Sequence, residues 1–224
     1  MSDDAVTVLL VEDHLALRKG MELLLRARGL RVVGVAGTAE AGYRLYEARR
    51  PDVAVIDATL DASSGMTMAQ RILELDPEAG VLLYTGATDP DVISAAAACG
   101  ARGFALKAGG PDELIGAIHT VAAGGVYVDP TVAAMLAPRA APRRMLTRRE
   151  VEVLERLASG MTGEQAADRL GVSPETVRTH IRNAMRKLDA RTRVHAVTLA
   201  LGLGEISTTP DEARPADQTA ASSV

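Results

Sequence analysis

What this 224-residue chain lacks sets the first limits on it. Its one cysteine, Cys99, excludes an internal disulfide, and no group of Cys and His has the spacing of a zinc site. Cys99 sits in the Ala-rich run "SAAAACGARG", where a small packed side chain is the natural reading. No apolar run approaches the roughly 20 residues that a membrane span requires. The opening Met1-Ser2-Asp3-Asp4 is acidic, the reverse of a signal peptide's basic start. After the first apolar run comes "VEDHLALRKG", which is not a Gly-rich dinucleotide fingerprint, and no P-loop occurs anywhere. Together these absences predict a cytoplasmic protein with no membrane partner.

The chain has ample material for a core, with 47% hydrophobic residues and a mean hydropathy of +0.08. Its charge is uneven. Residues 1–138 carry 11 Lys and Arg against 18 Asp and Glu, whereas residues 139–206 carry 13 against 8. A front at −7 and a back at +5 point to two domains with different partners, the second suited to a polyanion.

The first 125 residues alternate short apolar runs with amphipathic stretches. The runs are "VTVLLV" (6–11), "RVVGVA" (31–36), "VAVI" (53–56), "GVLLY" (80–84) and "GFAL" (103–106). The amphipathic stretches lie at about 15–28, 38–49, 64–75, 89–99 and 111–123. This alternation predicts a doubly wound, flavodoxin-like α/β domain over residues 1–125, with five parallel strands in the order 2-1-3-4-5. Residues 126–144 have linker composition around a short helical piece. Residues 145–206 read as purely helical, and the polar stretch 207–224 reads as a disordered tail.

The run Val53-Ala54-Val55-Ile56 leads straight into a carboxylate, Asp57. Alone, such an aspartate is a cap or turn residue. In an open parallel sheet, however, chemistry collects where the strands end. Strand 1 ends in Glu12-Asp13, strand 3 in Asp57, strand 4 in Thr85 and strand 5 in Lys107. Three converging carboxylates are costly without a cation, and a hard oxygen-liganded ion such as Mg2+ fits them. Lys107 and Thr85 supply an ammonium and a hydroxyl. The set suits phosphoryl transfer to Asp57 as nucleophile.

With its "LLVEDH", "VAVIDATL", "LLYTG" and "GARGFALKAG", the front domain resembles the receiver domain of two-component response regulators. The resemblance implies Asp57 as phosphoacceptor, with Thr85 and Lys107 acting on the phosphoryl group. It implies Mg2+ held by Glu12, Asp13, Asp57 and the backbone carbonyl of Thr59. It also makes Thr85 and Phe104 the switch residues, and a sensor histidine kinase the partner. One departure stands out: where that family has Met-Pro after its phosphoacceptor, this chain has Leu60-Asp61, while Gly65 keeps the loop glycine.

The back domain reads by its caps. Thr147 with Glu150, and Thr162 with Gln165, form capping boxes, and Ser173 caps a helix with Pro174 at its first position. Gly171 punctuates the turn before that helix, the form of a helix-turn-helix. Val177, Ile181, Ala184, Met185 and Leu188 make its apolar face, and Arg178, Arg182, Arg186 and Lys187 its basic one. From "LTRREVEVL" through "SPETVRTHIRNAMRKL" to "RTRVHAV" the segment resembles the LuxR/NarL-type DNA-binding domain. That implies contacts to double-stranded DNA from Arg178, Thr179 and Arg182, with Lys187 expected on phosphate. It also implies a homodimer through the last helix, whose stripe is Val194, Val197, Ala200 and Leu201.

The expectation is therefore a response regulator of the NarL/LuxR type, not an enzyme, in which phosphorylation controls dimerisation and DNA binding. The alternative is a receiver gated without phosphorylation. A metal-dependent phosphatase of the haloacid dehalogenase type is disfavoured, because "DATLD" lacks that family's second acid at the required spacing.

Overall fold

Alternation along each apolar run decides which way its side chains face, and the first strand illustrates the rule. The computed structural model describes residues 5–60, 64–86, 93, 95–96, 98–135 and 145–207. Strands β1 (Thr7–Val11), β2 (Arg31–Ala36), β3 (Val53–Asp57), β4 (Val81–Thr85) and β5 (Gly103–Leu106) pair in parallel in the order β2-β1-β3-β4-β5. Helices α1 (Leu15–Ala27), α2 (Ala39–Arg49), α3 (Ser64–Leu75) and α4 (Pro111–Ala122) cover the two faces. Val8 and Leu10 of β1 pack with Met21 and Leu25 of α1 and Leu114 and Ile118 of α4. Leu9 and Val11 belong to the opposite face, with Tyr46 of α2 and Met68 and Ile72 of α3. The central strand β3 is buried along its whole length, as an apolar run sandwiched between helices must be. The helix expected over 89–99 lies largely outside the described residues. So do Asp61, the linker from 136 to 144 and the tail from 208.

A sixth strand, β6 (Tyr127–Val128), extends the sheet beside β5, and a short helix, α5 (Pro130–Met135), follows. The backbone N–H of Tyr127 donates to Arg102 O and that of Asp129 to Phe104 O, each at 3.0 Å. Asp129 Oδ1 then accepts from Thr131 N at 2.8 Å, capping α5. Two strand residues carry no periodicity, which is why this stretch read as linker.

The helical domain comprises α6 (Arg148–Ala158), α7 (Gly163–Leu170), α8 (Pro174–Lys187) and α9 (Arg193–Gly202). Both expected capping boxes are formed, and the Ser173 side chain accepts from Thr176 N. Gly171 ends α7 in the left-handed region at φ +65°, which turns the chain sharply into α8.

The two parts share one apolar core. It runs from Phe104 and Leu106 through Val126, Val128 and Val132 to Val194, Val197 and Ala200. Beside it, backbone meets backbone at Gly125 and Gly160. A Cβ at Gly125 would lie 2.2 Å from Gly160 O, so only glycine permits that approach. Gly125→Ala is expected to cost about 1–3 kcal/mol by overpacking, which weakens the domain contact rather than either domain's own core. Small-angle scattering should show a larger radius of gyration with unchanged helix content; an unchanged radius would mean the contact tolerates a methyl.

Candidate functional site

Parallel pairing brings the ends of β1, β3, β4 and β5 to one edge, and the acids collect there. Glu12 and Asp57 are 1% and 2% exposed. Lys107 Nζ lies between them, 2.7 Å from Glu12 Oε2 and 2.8 Å from Asp57 Oδ2. Burial alone would push the Lys107 pKa down. Hydrogen bonds and charge from Asp57 and Glu12 outweigh it, so the ammonium is held firmly protonated. The other Asp57 oxygen, Oδ1, accepts from Thr59 N at 2.9 Å and from Thr59 Oγ1 at 2.7 Å. Thr85 is buried at the tip of β4, and its carbonyl accepts from Lys107 N at 2.7 Å. Gly65 is required by space: a Cβ there would fall 1.9 Å from Asp57 O, because the start of α3 rests on the end of β3.

Ligand atoms of Glu12, Asp13, His14 and Asp57 all lie within 4.8 Å of one another. Asp13 Oδ1 is buried, with His14 Nδ1 2.8 Å away. Three carboxylates against one ammonium suit a hard divalent cation. Phe104 is 1% exposed, packed inward in the core with Leu83 and Val128. The Thr59 hydroxyl and the His14 ring are the features that sequence reasoning missed. The signal for the first was a hydroxyl two residues after the aspartate, a spacing that favours short side-chain turns.

In the helical domain, Val177, Ile181 and Ala184 are buried and Arg178, Thr179 and Arg182 exposed, so α8 has the two faces its pattern required. Arg178 pairs with Glu175 at 2.9 Å, and Thr179 Oγ1 donates to Glu175 O at 3.0 Å. Arg178 lines a cleft of about 310 Å³ together with Thr162 and Arg193, opposite Glu78, Arg102 and Gly124 of the sheet domain. The start of the basic helix thus faces the other domain.

Two expectations meet a different environment. The ammonium of Lys187 lies 2.6 Å from Oε2 of Glu150, the capping residue of α6, which is only 3% exposed. Burial opposes ionisation of Glu150, but Lys187 and the Thr147 N–H override it, and its pKa falls below the ordinary 4.5. Val194, Val197 and Ala200 are 2%, 0% and 0% exposed and Leu201 is half-buried, so the chain itself covers the stripe expected to pair two copies.

Residues 8–119 match the family described as response regulator receiver domain, and residues 144–200 match bacterial regulatory proteins, luxR family. The chain is a response regulator of the NarL/LuxR type. It belongs with DNA-binding transcription regulators of two-component systems. The regulator is 36% identical over 184 residues to the transcriptional regulatory protein UhpA of Escherichia coli (strain K12), covering 82% of this chain and 91% of UhpA. To the nitrate/nitrite response regulator protein NarL of the same organism it is 30% identical over 204 residues, covering 87% of this chain and 94% of NarL. Among solved structures, the response regulator ChrA of a heme-sensing two-component system shares 30% identity with a TM-score of 0.52, covering 88% of this chain and 96% of ChrA. No helix among the regulator's described residues is long and apolar enough to cross a membrane.

Removing Lys187 would strand a buried carboxylate. Lys187→Met is expected to destabilise the regulator by about 2 kcal/mol at neutral pH, less than for a wholly buried pair because the lysine is partly solvated. Since folding lowers the Glu150 pKa, its contribution is present above 4.5 and is lost as pH falls through the folded value. Urea melts of both proteins should therefore differ at pH 7 and converge toward pH 3, and a constant gap would rule out the pair as the cause.

Proposed function

We propose that Asp57 accepts a phosphoryl group from a sensor histidine kinase in the cytoplasm, and that this controls pairing and DNA binding. The observation that carries the reading is the contact of Lys107 with both Glu12 and Asp57, at strand ends of one sheet in a chain that also exposes Arg178 and Arg182 on a helix-turn-helix. An Asp57 oxygen attacks phosphorus as the donor's bond to it breaks, leaving an acyl phosphate. Mg2+, held by Glu12, Asp13, Asp57 and the Thr59 carbonyl, supplies neutralising charge when bound. The Thr59 N–H and hydroxyl orient the carboxylate before transfer. Lys107 and Thr85 then take the new oxygens, an ammonium and a hydroxyl being matched to that charge. The site carries out no turnover of a separate substrate.

Arg178, Thr179 and Arg182 would read base edges in the major groove, as residues on the exposed N-terminal half of such a helix do. Lys187 instead anchors α8 to α6 from within. Two copies on two half-sites supply the length of sequence that a single helix cannot.

Incubation with a small-molecule phosphodonor and Mg2+ should add one phosphoryl mass to the wild type and none to Asp57→Asn; equal labelling in EDTA would overturn the metal reading. A receiver gated without phosphorylation would bind DNA equally well as Asp57→Asn. Arg178→Ala and Arg182→Ala should each cost on the order of 1–3 kcal/mol on the specific site and relax preference at particular base pairs. Equal losses on specific and scrambled DNA would remove α8 as the reader.

A further inference from the structure

Glu12 and Asp13 follow β1 directly, and their like charges favour a turn that swings one of them out to water. Glu12 is buried, whereas the Asp13 side chain is partly open and meets the exposed ring of His14. The hold on this turn comes from its backbone. Arg18, the fourth residue of α1, reaches back over it. Arg18 Nη1 donates to Glu12 O at 2.6 Å and to Asp13 O at 3.2 Å, so one guanidinium grips two consecutive carbonyls. On the other side, Glu12 N donates to Ala36 O at the end of β2, at 3.1 Å. The next residue, Gly37, gives the guanidinium its seat. A Cβ there would fall 2.5 Å from Arg18 Nη1 and 3.2 Å from its Cζ, so the guanidinium fills the space that a side chain would take. A charged donor placed on carbonyls instead of on an acid fixes where the chain runs.

We propose that Arg18 is a positioning residue of the acidic pocket: seated on Gly37, it holds the Glu12–Asp13 backbone on the course that aims both carboxylates at a divalent cation before the cation arrives. This rests on the reading above that the pocket takes Mg2+. The guanidinium touches neither the ion nor the reacting oxygens and acts only through the two carbonyls. Such support matters because a ligand left loose must be ordered during binding, and Mg2+ in particular demands near-octahedral placement of its oxygens. Gly37 offers an independent handle on the same contact. Its backbone lies outside the left-handed region, and the three atoms nearest to an added methyl all belong to the Arg18 guanidinium. Alanine there evicts the flexible end of one side chain while leaving its charge on the protein.

Titrating the full-length regulator with Mn2+, read by the paramagnetic resonance of the free ion with Mg2+ as competitor, gives a dissociation constant for each ion. Arg18→Ala and Gly37→Ala should each raise the Mg2+ constant about tenfold. The double variant should bind no more weakly than either single one, because both changes remove one contact. An arginine that served stability alone would lower the urea midpoint and leave the Mg2+ constant where it is. In the metal-free protein, the His14 amide, which donates to Glu12 Oε1 at 3.1 Å, should exchange about tenfold faster in either variant, with Val8 to Val11 as protected as before. Arg18 is overturned as a positioning residue if either variant binds Mg2+ as the wild type does, if the two losses multiply in the double variant, or if the His14 amide exchanges as before. Gly37→Ala decides alone if Arg18→Ala does not fold. If the wild type binds neither ion, the metal reading fails, and the His14 exchange rates still stand for or against the hold of Arg18 on the turn.

Discussion

Glu12 and Asp57 are carboxylates taken out of water at the ends of neighbouring strands, a costly arrangement without a partner of opposite charge. The Lys107 ammonium, within 3 Å of both, makes the arrangement tolerable. Much follows from that contact. It requires β1, β3 and β5 to run parallel and end at one edge, which the order β2-β1-β3-β4-β5 provides. It requires α3 to begin against the backbone of Asp57, which only Gly65 allows.

The sheet domain was legible because its signals are local and repeated. Apolar runs of four to six residues gave the five long strands, and their C-terminal residues named the pocket before any geometry was known. What stayed hidden was what neighbouring elements add. Nothing in "VYVDP" distinguishes a two-residue edge strand from a turn, since the strand exists only because β5 offers an open edge. The Thr59 hydroxyl on Asp57 depends on a turn that residue spacing suggests but does not fix.

In the helical domain, capping rules located helix starts to the residue, because a cap is a contact over three positions. Lys187 shows the limit of such rules. Its partner Glu150 is 37 residues away, and a basic residue on a basic face looks the same whether it meets phosphate or a buried acid. The stripe of α9 is ambiguous in the same manner. Val194 and Val197 would appear at that spacing whether covered by a second copy or by the chain's own α5, and only the tertiary structure says which.

The unbroken core that joins the two domains has a consequence for temperature. Parting them would wet Val126, Val128 and Val132 along with part of α9, so the closed arrangement is held by apolar burial more than by ion pairs. Exposing such surface raises the heat capacity, and the force opposing that exposure weakens on cooling. The contact between the domains thus weakens in the cold, without any change in the acidic pocket. In this regulator the strength of the contact between the domains is a property of water as much as of the residues that touch.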